Sequence, residues 1–571
     1  MRLARALEIL QRSAGDGDAF TVSLACGFEA LHLRTFLAAE LTERLPEVRV
    51  RVDTGLFDDL PGNIERATDA SADAVVVVIE WPDLDPRLGL RRLGGWRVDQ
   101  LDELVSGAGA TLARLEAAIA GAAREHRVVC LAPTLPLPPL FPQAPGQSGP
   151  HELALRRLVA DTAGRLAGQP GVSIASLQRL DELSPPHARR DVRDELATGF
   201  PYSLGHAAAV ATALAELLSA PVPRKGLITD LDDTLWAGIL DERGPEGVAW
   251  TEQHHRHGLY QQQLASLADA GVLVGVASRN DPGLVAEALA RPDLVVSPDA
   301  LYPVQASWGP KSDSIRRILE VWNVAPDAVV FVDDDPLARD EAAAALPGLV
   351  TLSPPQDEDG LWGFLKELRA LFGKGAVSAE DALRLDSIRS AQALRAAQEA
   401  DGGGGDFLAR IGGTVEFRTG AADTPRALEL INKTNQFNLN GQRLTEADLA
   451  AAYRRGAELV TVSYADRYGP LGVVAALLVS ADDRGPHVDA WAMSCRAFAR
   501  RIEHHTVSWL LERQAAPEVA LAFAPTDRNA AVGDFLATLE GRAPAGPVRL
   551  SRARFEQQAP PLVHRVVVAD R

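Results

Sequence analysis

An α/β protein of three successive domains is what the sequence predicts, and three observations predict it. Apolar, β-branched runs alternate with segments of helical period through residues 1–220, and the same alternation restarts over 221–375. Two breaks, SAPVPRKG at 219–226 and DGGGGD at 401–406, punctuate the pattern.

In the first domain, 1–220, the runs Phe20–Leu24, Val48–Val52, Ala74–Ile79, Val128–Leu131 and Val172–Ile174 read as strands. Helical periodicity over Leu31–Leu45 and Leu101–Ala123 fills much of the space between them, as a parallel sheet covered on both faces requires. Ala132–Pro150 reads as a surface loop, because its repeated prolines remove amide donors. A helix over Ala207–Leu218 closes this domain.

The second domain, 221–375, starts with strand Gly226–Asp230, followed by a helix near His257–Ala270, strand Val272–Ala277 and helix Leu284–Ala290. A short strand Leu294–Val296, helix Ser312–Asn323, and strands Ala328–Val332 and Leu349–Leu352 complete a doubly wound unit. Residues 376–406 read as a helical, then glycine-rich linker, and 407–571 as a mixed α+β domain.

Composition bounds the function. The 571 residues are 46% hydrophobic and 24% charged, with a net charge of −19. Such an acidic balance argues against a nucleic-acid binder and against a surface built for anionic membranes. Three cysteines, Cys26, Cys130 and Cys495, form no metal-binding or disulfide pattern. With no run of 18 apolar residues and no secretory pattern at the N-terminus, the expectation is a soluble cytoplasmic protein.

The densest chemical signal is GLITDLDDTLW, Gly226–Trp236. An apolar strand runs into Asp230, with Asp232, Asp233 and Thr234 behind it. Residues two apart in an extended segment face one side, so two carboxylates meet there, and Mg²⁺ suits such hard oxygen ligands. An acidic, solvated turn has the same appearance. Three later features tip the balance toward a site. Ser278 ends a strand, with Arg279 and Asn280 beside it; Lys311, one of five lysines, opens a helix; and Asp333, Asp334 and Asp335 follow another strand.

In this order the features resemble the haloacid dehalogenase (HAD) phosphatase superfamily: DxDxT, then Ser or Thr, then Lys, then an acidic pair. The resemblance implies a Rossmann-like HAD fold with Asp230 as the nucleophile that becomes an aspartyl phosphate and Asp232 as general acid and base. It places Mg²⁺ on the Asp230 carboxylate, the Asp232 carbonyl and Asp334, with Asp333 assisting, and the phosphoryl group on Ser278 and Lys311. Arg279 and Asn280 are candidate substrate contacts. The intervals from Asp230 to Ser278 and from Ser278 to Lys311 are filled by core elements, which leaves no room for a large cap domain.

DLDDTLWAG, VVFVDDDP, NKTNQFNLNGQR (Asn432–Arg443) and MSCRAFARRIE (Met493–Glu503) together resemble the FkbH-like family, and IEWPDLDPRLGLRRLGGW and TGFPYSLGHA extend the likeness into the first domain. The resemblance implies an enzyme of polyketide biosynthesis. It would take a glyceryl unit from 1,3-bisphosphoglycerate, remove the phosphate, and load glyceryl on the phosphopantetheine thiol of an acyl carrier protein.

The third domain resembles the acyl-CoA N-acyltransferase (GNAT) fold. Relatives have glycines after SCR, where this chain has Ala499 and Arg500, a departure that weakens a pyrophosphate site. Cys495 is either the acyl-bearing thiol, with Arg496, Arg500 and Arg501 lowering its pKa, or a small buried hydrophobe. Arg496 is also a candidate substrate contact, and Asn432, Asn435, Gln436 and Asn438 either line a polar groove or form turns. The first domain resembles an SGNH hydrolase of flavodoxin-like build that has lost its site: LACGFEAL has Ala25 and Cys26 where a serine is expected, and Ser203 where an aspartate would precede His206. Two alternatives stand beside glyceryl loading: transfer of a different acyl group, or a catalytically silent scaffold that docks the carrier.

Overall fold

The computed structural model describes residues 1–569 apart from 13–18, 70–71, 145, 220, 376, 378–380, 382, 401–405, 421–422, 483–484, 495–496, 499 and 514. The chain divides into two compact units, Met1–Val222 and Pro223–Arg571, where the sequence suggested three. The boundary between them falls within SAPVPRKG.

In the first unit β1 (Ala19–Cys26), β2 (Arg49–Thr54), β3 (Ala74–Val78), β4 (Arg127–Leu131) and β5 (Val172–Ile174) form a parallel sheet of order β2-β1-β3-β4-β5. The AVVVV of β3 is buried at every position, which is why its sequence is continuously apolar rather than alternating. Helices Leu31–Arg44 and Leu204–Leu218 pack together, as do Leu101–Ala122 and Pro150–Ala167. Chain order reverses between β1 and β3, so the crevice of this doubly wound sheet lies at their C-terminal ends.

The second unit holds two sheets. β6 (Gly226–Thr229), β7 (Leu273–Ser278), β8 (Leu301–Ala306), β9 (Val329–Val332) and β10 (Val350–Leu352) are all parallel, in order β10-β9-β6-β7-β8. The short strand expected at Leu294–Val296 is a turn; the edge strand is β8, a few residues later. Its Pro303 obscured it in the sequence, and an edge position is where a strand tolerates proline. Gly226 and Gly275 let the helix Lys311–Trp322 lie close on the sheet, since a Cβ on either would come within 2.5 Å and 2.8 Å of the Trp322 ring. That close approach fixes where Lys311 begins. No inserted cap domain occurs within residues 223–375, all of which are described.

The other sheet is mixed: β11 (Thr414–Thr419), β12 (Glu458–Asp466), β13 (Gly469–Asp482), β14 (Gly485–Met493), β15 (Glu518–Leu521), β16 (Val548–Ser551) and β17 (Arg565–Ala569). Its order is β16-β15-β14-β13-β12-β11-β17. The segment expected as a linker contains the helix Arg384–Ala400, whose Ile388 is buried with Ile315 and Trp322. Two residues on, Ser390 Oγ donates to Tyr468 O at 2.9 Å, so one helix touches elements of both sheets. The glycine run 401–405 lies outside the described residues.

Candidate active site

Three parallel strands and one helix start converge on a single carboxylate cluster. Thr229, the last residue of β6, pairs with Val276 of β7 and Val332 of β9, so the next residues of all three strands emerge side by side. Asp230 N donates to Val332 O at 2.9 Å, which sets its carboxylate beside that of Asp333. The Lys311 ammonium is ion-paired with Asp230 Oδ1 and stands 3.0 Å from Asp333 Oδ2, while donating to Ala277 O at 3.0 Å. All three side chains are buried, Asp333 completely. Glu341 holds the start of the lysine's helix, accepting from Ser312 Oγ and from Ser312 N at 3.2 Å.

Burial pushes the Asp230 carboxyl up to about 7; Lys311 opposes that rise and the charge of Asp333 adds to it. Asp334 is also raised, first by burial and then by Asp333. Thr234 fixes it, accepting from Asp334 N at 3.1 Å and donating to Asp334 Oδ1 at 3.3 Å. Asp230, Asp333 and Asp334 each offer one carboxylate oxygen, and these atoms lie within 4.8 Å of one another. Crowded carboxylates with raised pKa values are what a divalent cation relieves, and an all-oxygen donor set suits Mg²⁺. The residues present therefore fit the expected metal.

Asp232 stands apart from that trio. Its Oδ1 accepts from Trp236 Nε1 and from Leu240 N, each at 3.1 Å, and its Oδ2 from Asn280 Nδ2 at 3.0 Å. The turn that allows this places Asp233 in the left-handed region at φ 49°, where its Oδ1 accepts from Gly238 N at 2.8 Å. Aspartate tolerates that conformation because its side chain bonds locally. A carboxylate held by three donors and kept out of the metal cluster has a fixed direction for proton transfer.

Of the remaining candidates, Ser278 ends β7 and its Oγ accepts from Asn280 Nδ2 at 2.9 Å. Asn280, buried, thus ties Asp232 to Ser278. Arg279 is exposed, its Nε 3.4 Å from Gly309 O. In the mixed sheet, β15 pairs with β14 only at His487 and Val488. Further along β14 the asparagine-rich segment takes over, with Leu439 N donating to Trp491 O at 2.8 Å and Met493 N to Phe437 O at 2.9 Å. The two family-like motifs of this region are therefore neighbours. Asn432 bonds both backbone groups of Leu444, at 2.7 Å and 2.8 Å, and Asn438 donates to Ile431 O and Thr434 O. Asn435 accepts from Arg443 at 2.5 Å, and Gln436 is exposed. The side chains of Asn432 and Asn438 thus hold loops. Cys495 and Arg496 lie outside the described residues. Arg500, proposed to activate the thiol, is buried in an ion pair with Asp466 at 3.2 Å, and Arg501 donates to Pro561 O at 2.9 Å.

Trp236 and Glu341 were not singled out from the sequence, and Thr234 stood in the DxDxT motif without an assigned role. Trp236 had a signal, since it lies four residues beyond Asp232 in a segment too short to leave the site. Glu341 had none, because it arrives from a later helix.

No protein-family model matches the chain, and no curated protein does. Among solved structures, the N-terminal part of the protein BF1531 from Bacteroides fragilis, containing a phosphatase domain and complexed with Mg, is similar at 18% identity. The match covers 66% of this chain and 100% of that chain, with a TM-score of 0.51, and it is a likeness of fold. A protein from Corynebacterium glutamicum matches at 23% identity over 26% of this chain and 98% of its own, with a TM-score of 0.19 that adds nothing to the fold.

Proposed function

We propose that the second unit is a Mg²⁺-dependent phosphatase of the HAD type. The observation that carries this reading is the meeting of Asp230, Lys311, Asp333 and Asp334 at the C-terminal end of one parallel sheet. Asp230, Asp333 and Asp334 would hold Mg²⁺, which when bound neutralises charge on the phosphoryl oxygens. An Asp230 oxygen attacks phosphorus and the bond to the leaving oxygen breaks, with Asp232 supplying the proton. Asp232 then takes a proton from water, whose oxygen displaces phosphate from Asp230. Lys311 and Ser278 steady the transferring group.

The finer reading concerns substrate and partner. The phosphate comes from a unit derived from 1,3-bisphosphoglycerate, and the region around the mixed sheet passes the glyceryl group to the thiol of an acyl carrier protein. An acyl phosphate is already activated, so a thiol displaces phosphate without ATP. This reading is supported by the family-like motifs at Asn432–Arg443 and Met493–Glu503, which the fold makes neighbours. A silent scaffold is disfavoured, because an unused site has no reason to bury a lysine between two aspartates. Incubating the protein, 1,3-bisphosphoglycerate, Mg²⁺ and holo-carrier, then weighing the carrier, tests it. A glyceryl adduct supports the reading. Free phosphate with an unmodified carrier leaves the phosphatase and removes glyceryl loading.

A further inference from the structure

The helix Pro336–Ala345 follows the acidic residues 333–335 directly and grips both halves of the site. Asp335 N donates to Asp333 Oδ1 at 2.9 Å, and Asp335 Oδ1 caps the helix by accepting from Leu337 N at 2.9 Å. Helical side chains lean toward the N-terminus of their own helix, so Arg339 reaches back over this turn. Its Nη1 donates to the carbonyl of Asp333 at 2.5 Å and to that of Asp334 at 2.8 Å. One guanidinium thus ties down both peptide groups of the acidic pair. Glu341, two positions later, lies about 200° further round the helix and serves a different neighbour. Its carboxylate accepts from Ser312 Oγ and, at 3.2 Å, from Ser312 N, at the start of the helix Lys311–Trp322. That start has no side-chain cap of its own, because the residue before it is Pro310. Beside these polar grips, Ala342 is buried in one core with Ile315 and Ile318, so the two helices also pack through apolar contact.

We propose that this helix is a brace that sets Lys311 against Asp333 and Asp334. Arg339 is the positioning residue for the metal-binding pair, and Glu341 is the positioning residue for the lysine. The inference rests on the phosphatase reading and goes further by giving that site two residues that act from behind it. Lys311 meets Asp230 Oδ1, Asp333 Oδ2 at 3.0 Å and Ala277 O at 3.0 Å at once, so a small shift of its helix start disturbs all three. The Lys311–Asp333 contact is where the two halves join, and one helix holds the backbone on both sides of it. Groups that orient the ligands of a metal or phosphate are worth about 10- to 100-fold in affinity or rate. A helix cap that serves stability alone lowers the Tm and weakens every ligand alike, whereas a brace with two grips separates the metal from the phosphate.

The test is calorimetric titration of the full-length protein, with Mg²⁺ alone and then with inorganic phosphate at saturating Mg²⁺. Wild type is compared with Arg339→Ala, Glu341→Ala and the conservative Glu341→Gln. Arg339→Ala is expected to weaken Mg²⁺ binding about tenfold or more and to leave phosphate binding at saturating Mg²⁺ within about threefold. Glu341→Ala is expected to do the reverse, weakening phosphate about tenfold with Mg²⁺ binding within about threefold. Glu341→Gln keeps an oxygen that accepts from Ser312 and is expected to recover most of the phosphate affinity. Turnover of acetyl phosphate is expected to follow, with Arg339→Ala needing more Mg²⁺ for half-maximal rate and Glu341→Ala losing kcat/KM. Unchanged binding in both alanine variants overturns the proposal, as does equal weakening of both ligands together with a lowered Tm. If wild type releases no phosphate from acetyl phosphate while the two variants still separate Mg²⁺ from phosphate binding, the phosphatase reading fails and the brace stands.

Discussion

Two parallel five-stranded sheets in one chain put polar side chains at their C-terminal ends, and only one of them is poised for chemistry. In the first unit Glu80, just past β3, is wholly spoken for: it accepts from Thr134 Oγ1 at 2.6 Å, Tyr202 OH at 2.7 Å and two backbone amides. Thr134 gives its proton to Glu80, so His206 Nε2 donates to Thr134 at 2.9 Å and its Nδ1 accepts from Ser184 at 3.0 Å. Cys26, at the end of β1, donates to Phe28 O, and burial pushes its thiol well up, away from thiolate. In the second unit the oxygens of Asp230 and Asp333 that face Lys311 are ion-paired with its ammonium, and neighbouring carboxylates crowd together. Architecture is shared; what differs is whether polar groups are consumed by one another. A satisfied buried network rigidifies, whereas crowded charge invites a ligand.

The sharpest way to break this contrast is at the buried pair Asp230 and Lys311. Asp230→Asn is expected to lower Mg²⁺-dependent phosphate release by roughly 10³-fold or more. Lys311→Met should lose about 10²-fold or more in rate. It should also melt earlier, since it leaves two buried carboxylates without their cation. Chelating Mg²⁺ should abolish turnover, and adding Mg²⁺ should raise the Tm of wild type by an amount equivalent to about 2–3 kcal/mol near a hundredfold excess over Kd. Asp334→Asn should blunt that rise.

In the first unit the expected effects are on stability alone. Burial pushes His206 down to about 3. The unfolded chain therefore binds a proton below about pH 6.5 that the native state refuses, and stability falls on acidification by up to about 1.4 kcal/mol per pH unit. His206→Gln should flatten that slope in urea unfolding of the full chain compared at pH 7 and pH 5. Smallest of all, Cys26→Ala should leave phosphate release within about twofold, since only surface-like effects reach a site it does not serve.

Much of this contrast was legible in the sequence. The strand-ending motifs at Asp230, Ser278 and Asp333 could be found because a parallel strand that stops at a polar residue delivers it to the crevice. The first unit's departure from a hydrolase pattern was visible at Cys26, where a serine was expected. The reason for its stability was not, because Glu80, Thr134 and His206 meet only through folding. Likewise β8 hid behind Pro303, and the helix Arg384–Ala400 looked like a linker because its alanine-rich pattern gives little sign that Ile388 is buried. The pairing of Phe437 and Leu439 with β14 is a long-range contact that local pattern does not encode.

The most direct test of the central claim is to trap the phosphoenzyme. The full-length protein is mixed with Mg²⁺ and radiolabelled acetyl phosphate, quenched in acid and digested. The account predicts label on the peptide containing Asp230, released by hydroxylamine as an acyl phosphate must be, and no label on Asp230→Asn. Label that persists on Asp230→Asn, or Mg²⁺-dependent phosphate release by that variant at the wild-type rate, would contradict it.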